Sequence, residues 1–375
     1  MKVYLDNAAS TPISPEVIHM MSEMMKVNFA NPSSVHSFGR ESRIVIESAR
    51  KRIADLLNTS PGSIFFTSSG TEADNMAIRC AIHDYKITHA ITSEISHHAV
   101  LYPLQDLERQ GLIKLSYVNI DKDGVVSISH LTQLLKEHDR SFVSIMHANN
   151  EIGTIQDLKK IGDVCNKYDA IFHSDTVQTV GHYSFDMQTL NVDFITASAH
   201  KFHGPKGVGF IYISDDINIQ PLLRGGSQER NIRAGTENIC GIAGLAMAME
   251  MAYQNLEKDT NYIKNLKQYM IKKLKNEIED VQFYGKCTDI ENSLYTVLSC
   301  HFPETDIAEM LLFNLDILGV ACSGGSACSS GSNKSSHVLS TILPGSRRPS
   351  IRFSFSKYNK HEEIDFAVAK LKELF

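Results

Sequence analysis

Five short stretches of this 375-residue chain carry side chains able to do chemistry. In "ASAHKFHGPKGVGF", Lys201 falls at a strand end before a glycine-rich turn. A lysine there can be desolvated, lose its proton and attack a carbonyl to form an imine, although a lone lysine also reads as a solvated surface chain. In "FHSDTVQ", Asp175 ends a strand run, as a buried carboxylate that needs a cation or N–H donors, or as a structural loop holder. "TSSGTEADN" places Ser68, Ser69, Gly70 and Thr71 between a strand and a helix. Free amides and the helix dipole make such a turn a phosphate cradle, and the same letters also spell an ordinary N-cap. "SEISHHAV" sets His97 and His98 after a strand, where alternation would aim at most one ring at a ligand. Last, "ACSGGSACSSGS" puts Cys328 in the stretch 323–332, where eight of ten residues are Gly or Ser. Such a stretch is costly to order, and it suits a thiol that travels or a linker with an incidental cysteine. His200 and His203, three apart with no helix and no nearby carboxylate, do not make a zinc site.

These residues need a scaffold, and the pattern of the chain supplies one. Ser14–Pro15 opens a helix in "SPEVIHMMSEMMKVN", and "ESRIVIESARKRIADLLN" has helical apolar spacing. The short apolar runs "SIFFT", "HAITSEI", "IKLSYVNI", "SFVSIMHA", "AIFHSD", "DFITASA" and "VGFIYIS" mostly alternate with helical patterns. Alternation of this kind predicts an α/β fold, a mostly parallel sheet covered by helices, with ligands at the carboxyl ends of its strands. Past residue 255 a long polar helix, the strand-like runs "SLYTVLSC" and "SIRFSFS" and a last helix, "HEEIDFAVAKLKEL", predict a smaller α+β domain. The division expected is 15–255 for the large domain, with 1–14 and 256–375 forming the small one, which carries the Cys328 loop.

The bulk numbers narrow the function classes. A formal charge of −6 argues against a nucleic-acid binder and leaves the local cluster "SRRPSIR" to be explained by something smaller. No apolar run approaches spanning length, and polar residues by Asp6 argue against a signal peptide. Seven scattered cysteines without C-x-x-C predict reduced thiols and a cytoplasmic protein.

In order along the chain, "YLDNAAS", "NPSSVHSFGR", "FTSSGTEADN", "SHHAV", "SIMHANNEIGTIQ", "HSDTVQ", "SAHKFHGPKGVG", "IRAGTEN", "GSACSSGS" and "SIRFSFS" resemble the cysteine desulfurases of the NifS/IscS type. Those are fold-type I, pyridoxal-5'-phosphate-dependent transferases. The resemblance implies that Lys201 carries the cofactor's aldehyde and that Asp175 keeps its ring nitrogen protonated. It implies that His97 stacks on the ring and carries protons, with Val177 on the opposite ring face. Asn150 and Gln178 would contact the ring hydroxyl and substrate. Gly70, Thr71, Ser198 and His200 would hold the phosphate, joined by Thr236 from the neighbouring subunit of a homodimer. Arg352, with Asn31 beside it, would clamp the carboxylate of L-cysteine, which accounts for the basic cluster. Cys328 would take the sulfur as a persulfide and deliver it to an acceptor protein, such as a cluster scaffold or a thiolation enzyme. A selenocysteine lyase, or another lyase on the same fold, is the alternative. Ser96 and Thr176 depart from the family's usual Glu and Ala, and Cys322 is an extra thiol expected to be buried.

Overall fold

The computed structural model describes residues 1–305, 307–324 and 336–375. Its centre is a seven-stranded sheet in the order Ile64–Thr67, Gly209–Ile213, Phe194–Ser198, Ile171–Asp175, Ser141–Ser144, His89–Thr92, Lys114–Tyr117. Every pairing is parallel except the two made by Gly209–Ile213, which runs against both of its neighbours. Successive residues of one strand face opposite sides of a sheet. Accordingly Phe142, Ile171, Phe194 and Ile211 pack into one apolar layer with the helices Gly70–Asp84 and His98–Arg109. Their neighbours Val143, Phe172, Ile195 and Phe210 pack into the other, under the helices Ser37–Leu56, Leu158–Lys167 and Ile239–Gln254. Two covered faces explain why these strands read as unbroken apolar runs.

The last third builds a three-stranded antiparallel sheet from Ser350–Ser354, Val297–His301 and Gln282–Phe283. The helices Leu256–Glu277 and His361–Lys372 cover it through Leu266, Met270, Leu274, Ile364 and Leu371. Val3 and Leu5, from the start of the chain, are buried in this same core, and Val3–Tyr4 pairs in parallel with Val320–Ala321.

One buried ion pair pins the segment around residue 230 to the edge strand. Arg50, 2% exposed, meets Glu229 with two parallel bonds, Nη1–Oε2 at 2.8 Å and Nη2–Oε1 at 2.9 Å. Glu229 also accepts the Phe66 amide at 2.8 Å. The backbone of Glu229, Arg230 and Asn231 is left-handed, with φ of 44°, 56° and 68°, a conformation that side-chain-bearing residues adopt only when their surroundings force it. Arg50→Ala leaves Glu229 buried without its cation and is expected to cost about 3–5 kcal/mol of stability in a denaturant titration. A loss below about 1 kcal/mol would show that the pair holds nothing in place.

Candidate active site

The carboxyl ends of the strands open onto a cavity of about 300 Å³ at the seam between the large sheet and the last third of the chain. That size is at the lower end for small-molecule sites. Gly70, Thr71, His97, Asn150, Asp175, Val177, Gln178, Ser198, His200, Lys201 and Arg352 all line it. Asn31 and Thr236 are exposed and lie outside its walls. Cys328 lies outside the described residues.

Lys201 ends the short turn Ala199–Lys201 that follows the strand Phe194–Ser198. Its ammonium donates to the carbonyls of Ala8 at 2.7 Å and Ala9 at 3.0 Å. Gln178 Nε2 donates to the same Ala8 carbonyl at 3.1 Å. Asp175 is the last residue of its strand and is buried. Burial and repulsion from Asp74 push its carboxyl up to about 6, although His97 and the Val177 amide, 3.0 Å away, favour the charged form. His97 caps the helix His98–Arg109, its Nδ1 accepting from the Ala99 amide at 3.1 Å. That bond assigns the ring proton to Nε2, and burial lowers the ring's proton affinity against the pull of Asp175. Because the helix starts at His98, strand alternation does not apply here, and both His97 and His98 reach the cavity.

At the opposite end, Ser69 caps the helix Gly70–Asp84 by accepting from the Glu72 amide at 3.2 Å. The amides of Gly70 and Thr71 sit in the first turn, where no intrahelical acceptor exists. Ser198 stands across from them: a Cβ built on Gly70 would lie 3.6 Å from Ser198 Cβ and only 2.6 Å from Val177 Cγ2. His200 pairs through Nδ1 with Ser10 Oγ at 3.2 Å, and burial lowers its pKa to about 4, so it is a neutral ring. His203 turns away, its Nδ1 bonded to the Pro12 carbonyl at 2.8 Å. Among the described residues no group of three or more His, Cys, Asp or Glu side chains is arranged to hold a metal ion.

Arg352 enters from the other sheet. It is 2% exposed and donates through Nη2 to Asp6 Oδ1 at 3.0 Å and through Nη1 to the Asn150 carbonyl at 2.9 Å. Its Nε is buried without a hydrogen-bond partner among the described residues, so the guanidinium has donors to spare. Its backbone is fixed on one side by Ser299 in the neighbouring strand and on the other by Ser323, whose carbonyl accepts the Arg352 amide at 2.7 Å.

Several wall residues escaped the sequence reading. Asp74 lies within the quoted "GTEADN" and Glu151 within "NNEIG", but only the fold shows that both are buried at the cavity. Glu151 is pushed up to about 7 by burial and accepts a short hydrogen bond from the Ser336 hydroxyl. His337 lines the wall, bonded through Nε2 to the Ser96 carbonyl at 3.0 Å, and its ring lies 4.4 Å from that of His98. The departures noted in sequence are accommodated. The Thr176 hydroxyl donates to the Thr196 carbonyl at 2.7 Å, and Ser96 pairs with Thr92 at 3.1 Å. Cys322 is partly buried, and burial pushes its thiol well up.

The arrangement fits a flat, phosphorylated, aldehyde-bearing pyridine. An amine on neutral carbonyls meets the aldehyde, a buried carboxyl awaits a ring cation, and a side-chain-free helix start leaves space for a phosphate. A family model described as aminotransferase class-V matches residues 3–366. The chain belongs to that family. A cysteine desulfurase IscS from Dictyoglomus turgidum is 42% identical over 100% of this chain and 94% of its own length. Among solved structures, a NifS-like protein superposes with a TM-score of 0.91 at 36% identity, covering 100% of this chain and 99% of the other. A structure described as SspA in complex with cysteine gives a TM-score of 0.81 at 30% identity, covering 96% of this chain and all of the other. Class-V enzymes depend on pyridoxal phosphate, and the lining of this pocket fits that group. A Cβ at Gly70 would overpack this cradle by roughly 1–3 kcal/mol, so Gly70→Ala should weaken pyridoxal-phosphate binding about tenfold or more, read by titrating cofactor into the apoprotein. Unchanged affinity would remove Gly70 from the phosphate site.

Proposed function

We propose that this chain is a pyridoxal-phosphate-dependent cysteine desulfurase, converting L-cysteine to L-alanine and passing the sulfur through Cys328 to an acceptor protein. The observation that carries the reading is the meeting of Lys201, Asp175, His97 and Arg352 around one cavity, from distant parts of the sequence. The similarity to a cysteine desulfurase and to a cysteine-bound structure favours cysteine over selenocysteine as substrate.

Bound in the pocket, the cofactor supplies an aldehyde that joins the substrate's amino group and a ring that takes up electrons from the substrate carbon. The chain does the rest. Arg352 grips the substrate carboxylate through its spare donors, with Asn150 beside it. Lys201 is the base placed to take the proton from the substrate's Cα. Asp175 would keep a proton on the cofactor's ring nitrogen, and His97 and Val177 would hold its ring between them. Gly70, Thr71, Ser198 and His200 hold the phosphate, and Gln178 reaches the ring hydroxyl. The Cys328 thiolate then attacks the substrate sulfur. An S–S bond forms as the Cβ–S bond breaks, the electron pair of that bond goes to the Cβ side and is quenched by a proton, Cα regains its proton, and alanine leaves with the enzyme carrying a persulfide.

Thr236, exposed in the single chain, gains a role in a homodimer by reaching the neighbour's phosphate, and Asn31 is assigned to the substrate clamp beside Arg352. The six described cysteines are free thiols and none of the described helices can cross a membrane, which suits work in the cytoplasm. Iron–sulfur cluster assembly, or thiolation of a cofactor or tRNA, is the destination of the sulfur. Lys201→Ala should lose both the yellow colour and alanine production. Cys328→Ala should keep the colour and lose sulfide release from cysteine by at least about a hundredfold. Sulfide release at the parent rate from Cys328→Ala would refute the persulfide route.

A further inference from the structure

Behind Asp175 lies a second carboxyl to which the reaction assigns no task. Asp74, on the second turn of the helix Gly70–Asp84, is 1% exposed and lines the same cavity. It accepts from Thr196 Oγ1 at 2.7 Å, and Thr196 is the residue paired with Asp175 in the parallel ladder. The ring of His173, two residues before Asp175 and so on the same strand face, comes within 3.3 Å of Asp74 Oδ1, outside hydrogen-bonding geometry. Its other nitrogen, Nδ1, pairs with Ser144 Oγ at 2.8 Å. Burial holds that ring neutral, with a pKa down to about 4. Asp74 therefore meets a hydroxyl and a neutral imidazole, and neither stabilises a buried charge as a cation would. Among the described residues His97 also faces Asp175, and His97 in turn feels Lys201, His98 and His337. Two carboxyls in one dry pocket do not both ionise easily.

We propose that Asp74 and Asp175 hold one proton between them in the cofactor-free protein, and that Asp74 is a positioning residue that keeps the pocket primed for a single ring cation. Burial pushes Asp74 up to about 7, and burial with the repulsion of Asp74 pushes Asp175 up to about 6. Such coupled groups titrate as a pair. Both pKa values are raised on folding, so the folded pocket binds protons that the unfolded chain releases. The stability this gives is complete below about pH 4 and is lost as pH rises through about 6 to 7. A ring cation seated against Asp175 offsets the charge that appears there. The link to the ring nitrogen rests on the cofactor reading above; the proton sharing does not.

The test is the melting temperature of the apoprotein between pH 4 and 8, for the parent chain, Asp74→Asn and Thr196→Val. In the parent, Tm should fall across this range. Asp74→Asn removes one titrating group and its repulsion, so the fall should become shallower and its midpoint should move down by about one pH unit. Thr196→Val removes the donor that favours the charged form of Asp74, so its midpoint should move up. Curves that run parallel to the parent's, lowered by the same amount at every pH, would overturn the proposal and leave Asp74 a packing residue. If Asp74→Asn does not fold, the opposite shift in Thr196→Val still decides. Adding pyridoxal 5'-phosphate should raise the parent's Tm more at pH 8 than at pH 5, and Asp74→Asn should lose at least half of that difference. An equal rise at both pH values would overturn the link to the ring cation. Absence of alanine production by the parent chain would sink the desulfurase reading and leave the apoprotein curves untouched.

Discussion

A carboxyl in a dry interior must find donors, find a cation or give up its charge, and this molecule places Asp175 where all three pressures meet. The strand Ile171–Asp175 is covered on both faces, and Asp175 at its end is buried. The amide of Val177 offers one donor, and His97 faces it from the neighbouring helix start. The rest of the cavity is organised around that unsettled charge. Lysine and arginine arrive from other parts of the chain but are held on Ala8, Ala9, Asn150 and Asp6, in place for the groups of a cofactor and a substrate.

The first eleven residues hold these parts together. Asn7 donates to the Ser354 carbonyl at 2.9 Å, the Ala8 amide bonds Ser354 Oγ at 2.8 Å, and Thr11 Oγ1 donates to the His200 carbonyl at 2.9 Å. The segment thus touches the Arg352 strand at one end and the Lys201 turn at the other. The spacing between the substrate clamp and the reactive amine is set by a tight turn, in which the Asp6 carbonyl accepts from the amides of Ala9 at 3.0 Å and Ser10 at 3.3 Å.

Much of this was legible in the letters. Covered strands betray themselves as apolar runs, and the polar stretches at their ends held most of the residues that line the cavity. What stayed hidden depends on long-range neighbours. Asp74 looks like an ordinary exposed helix residue until the sheet is laid beneath it, and Glu151 becomes a buried acid only because Ser336 comes back to cover it. The backbone carbonyls of Ala8 and Ala9 have no sequence signature at all. The expectation that only one of His97 and His98 would reach the cavity failed for a local reason, since a helix start does not keep a strand's two-residue alternation.

The clasp at the start of the chain also bears on how the protein folds. Leu5 accepts the Ser354 amide at 2.7 Å, and Val3 pairs with Val320, so residues that precede the large sheet in sequence find their partners far beyond it. The seven-stranded sheet is complete by residue 213 and can close before those partners are met. The segment around Val3–Leu5 needs both Val320–Ala321 and Ser350–Ser354 for its hydrogen bonds, and it leads directly into the Ala8 and Ala9 carbonyls on which the lysine amine rests. Finishing the pocket thereby requires the closing of one very long chain loop.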